Sequence, residues 1–476
     1  MIMQHKMANR NYAYPLATAG LLFAFITCPA QIPKLNSNST ATATIYLDFD
    51  GHTVEGTAWN WEQEVIKAKP SGLKSAAIQE IFQRVGEDFT IFNLNITTDS
   101  SVYAKAPMTK RIRIIITPTS SWYPEAPGVS YVNSFTWGDG TPSWVFSDRL
   151  YNDNKYVSEA ISHEIGHTLG LQHQSTYDKN CNKILEYAEG KGDGETGWAP
   201  IMGVGYYKNT TTWHTGTNSL GCHEIQNDID IICNGLSKVS LLTDDHGNTR
   251  TNATTLQVPN RTFTSNGMIN SATDKDVFKV VLNYNSVLKV NATPKHVATG
   301  NSGANLDIKM SLLKNNGDTI RHYNPKNLLS ASLDTNLKAG TYYVVVDGVA
   351  NQNLPEQGSV GHYSLSGSID AVLPITKLTV KGITLINLHT INWSFEADEP
   401  VKETDIELSF NGIDFSLLKT FSPTVTQYSY RPYGTGAVYY RVKMVAVQDD
   451  KPYYSNIISM QCPPNDHVTL LGNMIN

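Results

Sequence analysis

The chain has 476 residues, a formal net charge of −6 and 17% charged residues. That length exceeds one domain, and so mild an acidity offers no basic surface for nucleic acid. Beyond the N-terminus no segment is apolar enough to be a transmembrane helix.

In chain order, Lys6 and Arg10 precede a mostly apolar run from Leu16 to Cys28. The run is too short to span a bilayer and suits the core of a signal peptide over 1–30. Cys28-Pro29-Ala30 before Gln31 fits a small-x-small cleavage site. The chain is therefore expected to be exported and secreted. A periplasmic location or a lipoprotein acylated on Cys28 is the alternative, although Thr27 suits the latter poorly. Removal of 1–30 leaves Cys181, Cys222, Cys233 and Cys462. Four cysteines outside the cytoplasm suggest two disulfides, with three pairings open. At least one is expected within the region that holds the first three.

Ala43 to Asp48 reads as a buried strand that enters a turn at Asp50-Gly51. Asp48-Phe49-Asp50-Gly51-His52-Thr53 also resembles the start of a haloacid-dehalogenase-type phosphatase. There His52 interrupts the Gly-Thr pair, and an Asp-rich turn is the plainer reading. Residues 74 to 89 place Ala77, Ile78, Ile81, Phe82, Val85 and Phe89 at helical spacing. Phe92 to Thr97 and Arg111 to Thr117 are strand-like, and Ser143 to Ser147 is expected to be the edge strand of their sheet. A helix from about Lys155 to Leu171 follows, with Val157, Ile161, Ile165 and Leu169 as its buried row.

That helix carries His163-Glu164-Ile165-Gly166-His167-Thr168-Leu169-Gly170-Leu171-Gln172-His173. Residues four apart share a helix face, so His163 and His167 can offer two imidazoles to one metal ion. Gly170 can turn the chain sharply because it has no Cβ, which brings His173 round as a third ligand. Three protein ligands with an open fourth position describe a catalytic Zn²⁺ site rather than a closed structural one. Glu164 stands beside them as general base for a metal-bound water.

This motif resembles that of the metzincin clan of zinc endopeptidases, such as the reprolysins or adamalysins, whose zinc signature is followed by a Met-containing turn. Ala199-Pro200-Ile201-Met202-Gly203 matches that turn, with Met202 as a floor under the histidines. The resemblance implies an α/β catalytic domain over about 41–240, built from a twisted mixed sheet and the active-site helix. It also implies a protein or peptide substrate bound as an extended strand along the sheet edge. Gln174, after the third His, matches none of the better-known families. Val204 stands where astacins and serralysins place a metal-binding Tyr. Tyr206 and Tyr207 follow, as candidate stabilisers of a tetrahedral intermediate or as a packed aromatic pair. The short stretch between Gln31 and the first strand is expected to leave no place for a conventional inhibitory propeptide.

From about 241 the composition shifts to Asn, Thr, Ser and Val in short alternating runs, an all-β pattern. Residues 241–372 resemble the bacterial pre-peptidase C-terminal domain through Asp244-Asp245-His246-Gly247-Asn248, Asp274-Lys275-Asp276-Val277-Phe278, Asn305-Leu306-Asp307 and Ala339 to Gly348. Their Asp-rich turns suit Ca²⁺, and turn chemistry alone explains the same residues. Residues 376–461 resemble a fibronectin-type-III-like module through Ile391-Asn392-Trp393-Ser394-Phe395, an Asn411-Gly412 turn and Val438 to Lys443. Within the C-terminal tail, 462–476, the stretch from His467 to Asn476 resembles only the opening of a sorting domain.

The expectation is thus a multidomain protein, an α/β catalytic domain followed by two all-β sandwiches, acting as a secreted zinc endopeptidase. An adhesin that uses the same domain for recognition is the alternative, and the intact Glu164 speaks against it. Trp198, Tyr206, Tyr207 and Trp213 are candidates to line the specificity pocket.

Overall fold

The computed structural model describes residues 32–462, apart from 62–63, 284, 299–300, 372–374, 398–399 and 448–450. The signal peptide expected over 1–30 and the tail from 463 lie outside the described residues. No helix among them is long and apolar enough to cross a membrane.

An α/β fold class is not what the chain adopts. Strand outweighs helix by 43% to 14%, and the strands divide among many small sheets. The protein is mostly β. Among the described residues only two segments carry a long helical apolar stripe, Ser75–Asp88 and Asn154–Thr168. After them the Thr-, Gly- and Pro-rich stretch forms two-stranded ladders, such as Trp198–Pro200 with Thr210–Thr212 and Thr215–Thr217 with Ile225–Asn227.

The two helices pack on each other and lie beside a five-stranded sheet ordered Leu94–Thr97, Ala43–Asp48, Arg111–Thr117, Ser143–Phe146, Gly128–Val129. The first four strands are parallel; Gly128–Val129 runs antiparallel to Ser143–Phe146. This corrects the expected edge. Ser143–Phe146 is buried throughout because it pairs on both sides, and the edge belongs to the Gly128–Val129 pair. Such a short strand carries too little apolar alternation to be seen in sequence.

The second half is sandwich-like, as expected. Sheets of five and four strands enclose a core that includes Phe263, Phe278, Leu288, Met310 and Val344. A further pair of sheets encloses Trp393, Tyr440 and Met444. In Ser286–Pro294 buried positions alternate with more exposed ones, the period-two pattern of a strand with one face in the core. The first of these units does not stand apart from the helices. Met268 and Val360 join the same apolar cluster as Ile81, Phe89 and Trp213.

Cys181 and Cys222 form a disulfide, the expected bridge in the region after the histidines. The second expected bridge is absent among the described residues, where Cys233 and Cys462 are free thiols. They belong to separate hydrophobic clusters.

Candidate metal centre

The helix Asn154–Thr168 begins at Asp153, whose side chain accepts from Tyr156 N and so satisfies one of the unpaired first-turn donors. It ends three residues before the expected Leu171. Gly170 has φ +111°, Gly170 N donates to His167 O at 2.9 Å, and Leu171 N donates to Gly166 O at 3.0 Å. These paired bonds close the helix C-terminus as a Schellman motif. The reversal carries His173 back towards the helix.

His163, His167 and His173 each present a ring nitrogen, and these atoms lie within 4.8 Å of one another. Each Nδ1 is engaged elsewhere: His163 with Ile201 O at 2.9 Å, His167 with Leu171 O at 2.8 Å, and His173 with Glu186 Oε1 at 2.7 Å. Carbonyl and carboxylate oxygens only accept, so each Nδ1 must carry the hydrogen. That leaves all three Nε2 lone pairs free for a shared cation. Burial holds His167 down to about 4, and holds His163 well below the ordinary histidine value. Both rings are therefore neutral at physiological pH, the state that binds metal.

Glu164 is buried, and its Oε2 has no hydrogen-bond partner. Burial pushes its carboxyl up to about 8, opposed by the Ser130 hydroxyl. A buried carboxyl oxygen without a partner is costly, and here it faces a cleft of about 520 Å³ lined by Tyr123, Gly128, His163, Tyr187, Val204 and Tyr206. These observations fit a cation with a water ligand. Three convergent imidazole nitrogens suit Zn²⁺, and the orphaned carboxyl oxygen would accept a proton from water on such an ion.

Met202 lies under the helix. It is fully buried, and a Cβ on Gly166 would fall 2.4 Å from its sulfur. Gly203 N donates to Pro200 O at 3.0 Å, which makes the turn that the Pro and Gly suggested, and Gln174 N donates to Met202 O at 2.7 Å.

The tyrosine pair divides. Tyr206 lines the cleft and packs on Tyr156 with ring centres 5.2 Å apart. Tyr207 is 77% exposed and stands outside it, so it is not placed to touch an intermediate. Of the other aromatic candidates, Trp213 is buried against Phe89 and donates to Asp88 O at 2.6 Å. Trp198 donates to Thr212 Oγ1 at 2.9 Å. Neither lines the cleft. The phosphatase-like Asp48 is taken up by Arg113 Nη1 at 2.6 Å and closes the strand end.

Sequence reasoning missed Glu186, Tyr187 and Gly128. Glu186 and Tyr187 follow a hairpin of Thr176–Tyr177 and Lys183–Leu185, and the Tyr187 ring lies 4.4 Å from that of His173. Gly128 sits over Glu164, where a Cβ would come within 2.6 Å of Oε1. No local spacing announces any of the three.

A second cluster lies in the sandwich. Oxygens of Asp244, Asp274 and Asp276 fall within 4.8 Å of one another. Oδ1 of both Asp274 and Asp276 is buried without a partner.

No protein-family model matches the chain, and no curated protein does. Among solved structures it is similar to a pectate lyase from Erwinia chrysanthemi, at 12% identity and TM-score 0.16, over 18% of this chain and 27% of that one. It is also similar to the pre-peptidase C-terminal domain of collagenase from Bacillus anthracis, at 14% identity and TM-score 0.18, over 25% of this chain and 94% of that one. A human fibronectin type III domain matches at 16% identity and TM-score 0.17, over 19% and 87%. The chain spans less than a third of the length of the pectate lyase. At such TM-scores no reading of fold or activity is taken from these likenesses.

Proposed function

We propose that this chain is an exported zinc-dependent endopeptidase with a metzincin-type site. The observation that carries the reading is the convergence of three imidazoles with free Nε2 atoms beside a buried, unpartnered Glu164 carboxyl oxygen. His163, His167 and His173 would hold the metal. When bound, Zn²⁺ acidifies its water towards a pKa of ~7 and polarises the scissile carbonyl. Glu164 takes the proton from the attacking water and returns it to the leaving amine. Gly128–Val129 offers a sheet edge to an extended protein or peptide substrate, and Tyr206 stands in the cleft wall. A Ca²⁺ ion at Asp244, Asp274 and Asp276 is proposed on the same kind of evidence, buried carboxylate oxygens that lack partners. The Cys181–Cys222 disulfide supports an oxidising, extracytoplasmic location.

One preparation tests these statements together. Metal analysis of wild type and Glu164→Gln is paired with cleavage of casein. Both proteins are expected to hold about one zinc, only wild type to cleave, and a chelator to abolish cleavage. Zinc in both with cleavage by neither would favour the adhesin alternative, and zinc in neither would end the metalloenzyme reading. In the same analysis, calcium is expected in wild type and missing from Asp276→Asn; equal contents overturn the calcium site.

A further inference from the structure

His173 is held differently from the other two histidines. His163 and His167 lean on main-chain carbonyls, whereas His173 Nδ1 lies 2.7 Å from a full carboxylate, Oε1 of Glu186. A carboxylate behind an imidazole fixes its orientation and raises the basicity of the opposite nitrogen more than a neutral carbonyl does.

Glu186 owes this position to a poorly buried hairpin. Lys183, Ile184 and Leu185 are all exposed, so apolar burial does little to hold them. Polar bonds hold the base: Ala188 N donates to Gln174 O at 2.7 Å, and Ser175 Oγ donates to Glu186 O. On the flank, Lys183 Nζ bridges Glu186 Oε2 at 2.7 Å and Ser219 O at 2.9 Å. The outer end is closed by the bond from Cys181 to Cys222. That bond joins the hairpin to the segment that contains Ser219, and Ser219 N in turn donates to His173 O at 2.9 Å. The disulfide therefore ties together the two segments that hold the third histidine.

We propose that Glu186 is the positioning residue of the metal centre, and that the Cys181–Cys222 bond maintains its hold, so that zinc retention depends on the oxidation state of this loop. The inference rests on the zinc reading above. Removal of a carboxylate behind a metal-bound histidine weakens metal binding by about 10- to 100-fold.

The test is competition for zinc with a chromophoric chelator at one fixed pH, on the full chain. Wild type is compared with Glu186→Ala, Glu186→Gln, the Cys181→Ser/Cys222→Ser pair, and that pair combined with Glu186→Ala. Zinc affinity is expected to fall about 10- to 100-fold in Glu186→Ala and less in Glu186→Gln, which keeps an acceptor. The melting temperature of the metal-free protein is expected to stay unchanged, which separates positioning from general support. The serine pair is expected to lose affinity alone but to add nothing to Glu186→Ala. Wild-type affinity in both Glu186 variants overturns the inference and leaves the zinc reading intact. Full additivity of the serine pair with Glu186→Ala overturns the redox link. Should Glu186→Ala fail to fold, the near-isosteric Gln carries the comparison. A wild type without zinc overturns both readings, and is recognised before any variant is made.

Discussion

A Cβ built on Gly128 falls 2.6 Å from Oε1 and 2.8 Å from Cγ of Glu164, so this position has room for a hydrogen and nothing larger. On the proposed metalloenzyme reading, Gly128→Ala is expected to push the carboxyl away from the place of a metal-bound water, since the atoms nearest the new Cβ all belong to Glu164. A displacement near 1 Å at a reacting group costs up to roughly 100-fold in rate. Cleavage should therefore drop by about that order while zinc content stays at the wild-type level. Steady-state kinetics beside metal analysis checks it, and unchanged turnover would show that Glu164 tolerates the shift. His167 and Glu164 illustrate one cause with opposite outcomes. Burial disfavours the charged form of both, so it lowers the histidine to about 4 and raises the acid to about 8. A bound dication reverses the effect on the carboxyl, because its charge favours the anion.

The helix that carries the histidines depends on how it stops. Gly170 at φ +111° and the two closing bonds to His167 O and Gly166 O turn the chain towards His173. An Ala there meets an unfavourable backbone and also Asn133 Oδ1 at 2.8 Å. Gly170→Ala is expected to cost about 1–2 kcal/mol in urea unfolding and to weaken zinc binding, since His173 follows the turn. Stability lost with zinc affinity intact would mean that the 174–188 segment alone places His173. The sheet beside the helix ends in a strand of only two residues. Gly128–Val129 covers Ser143–Phe146 on one side and leaves its other side to the cleft, so the edge proposed for substrate and the protection of the inner strand come from the same short element.

Across the whole molecule, the end of the Ser75–Asp88 helix is one place where the two halves join. Glu87 is almost fully buried, accepts from His362 N at 2.9 Å and pairs with Lys295 at 3.0 Å. Asp88 accepts from Asn305 at 2.8 Å on one oxygen and from Ser162 on the other. The sandwich thus reaches, through Asp88, the residue before His163. Burial pushes the Asp88 carboxyl up to about 8, and the nearby Glu159 adds to the rise. The folded state therefore holds this proton to higher pH than the unfolded chain, where the value is 3.8. Its contribution to stability is complete below that value and is lost as pH rises through about 8. The melting temperature is expected to fall between pH 5 and pH 8.5, and to fall less in Asp88→Asn. Equal slopes in the two proteins would remove Asp88 as the source.

The sequence alone determined what lies within a few turns of chain. His163, Glu164, His167, Gly170 and His173 are legible as one site because helical spacing and one glycine turn dictate their meeting. The Pro200–Gly203 turn and the alternating strands of the sandwiches are legible for the same local reason. Only the tertiary structure decided the rest. The match of Glu186 to His173, of Gly128 to Glu164 and of Asn305 to Asp88 joins residues 13, 36 and 217 positions apart, and no local period encodes such separations. The choice of Cys222 for Cys181, the true sheet edge and the mostly β character of the chain follow from the same cause. They are set by how the loops close over the sheet, where burial and backbone pairing across the whole chain outweigh the preference of any one segment.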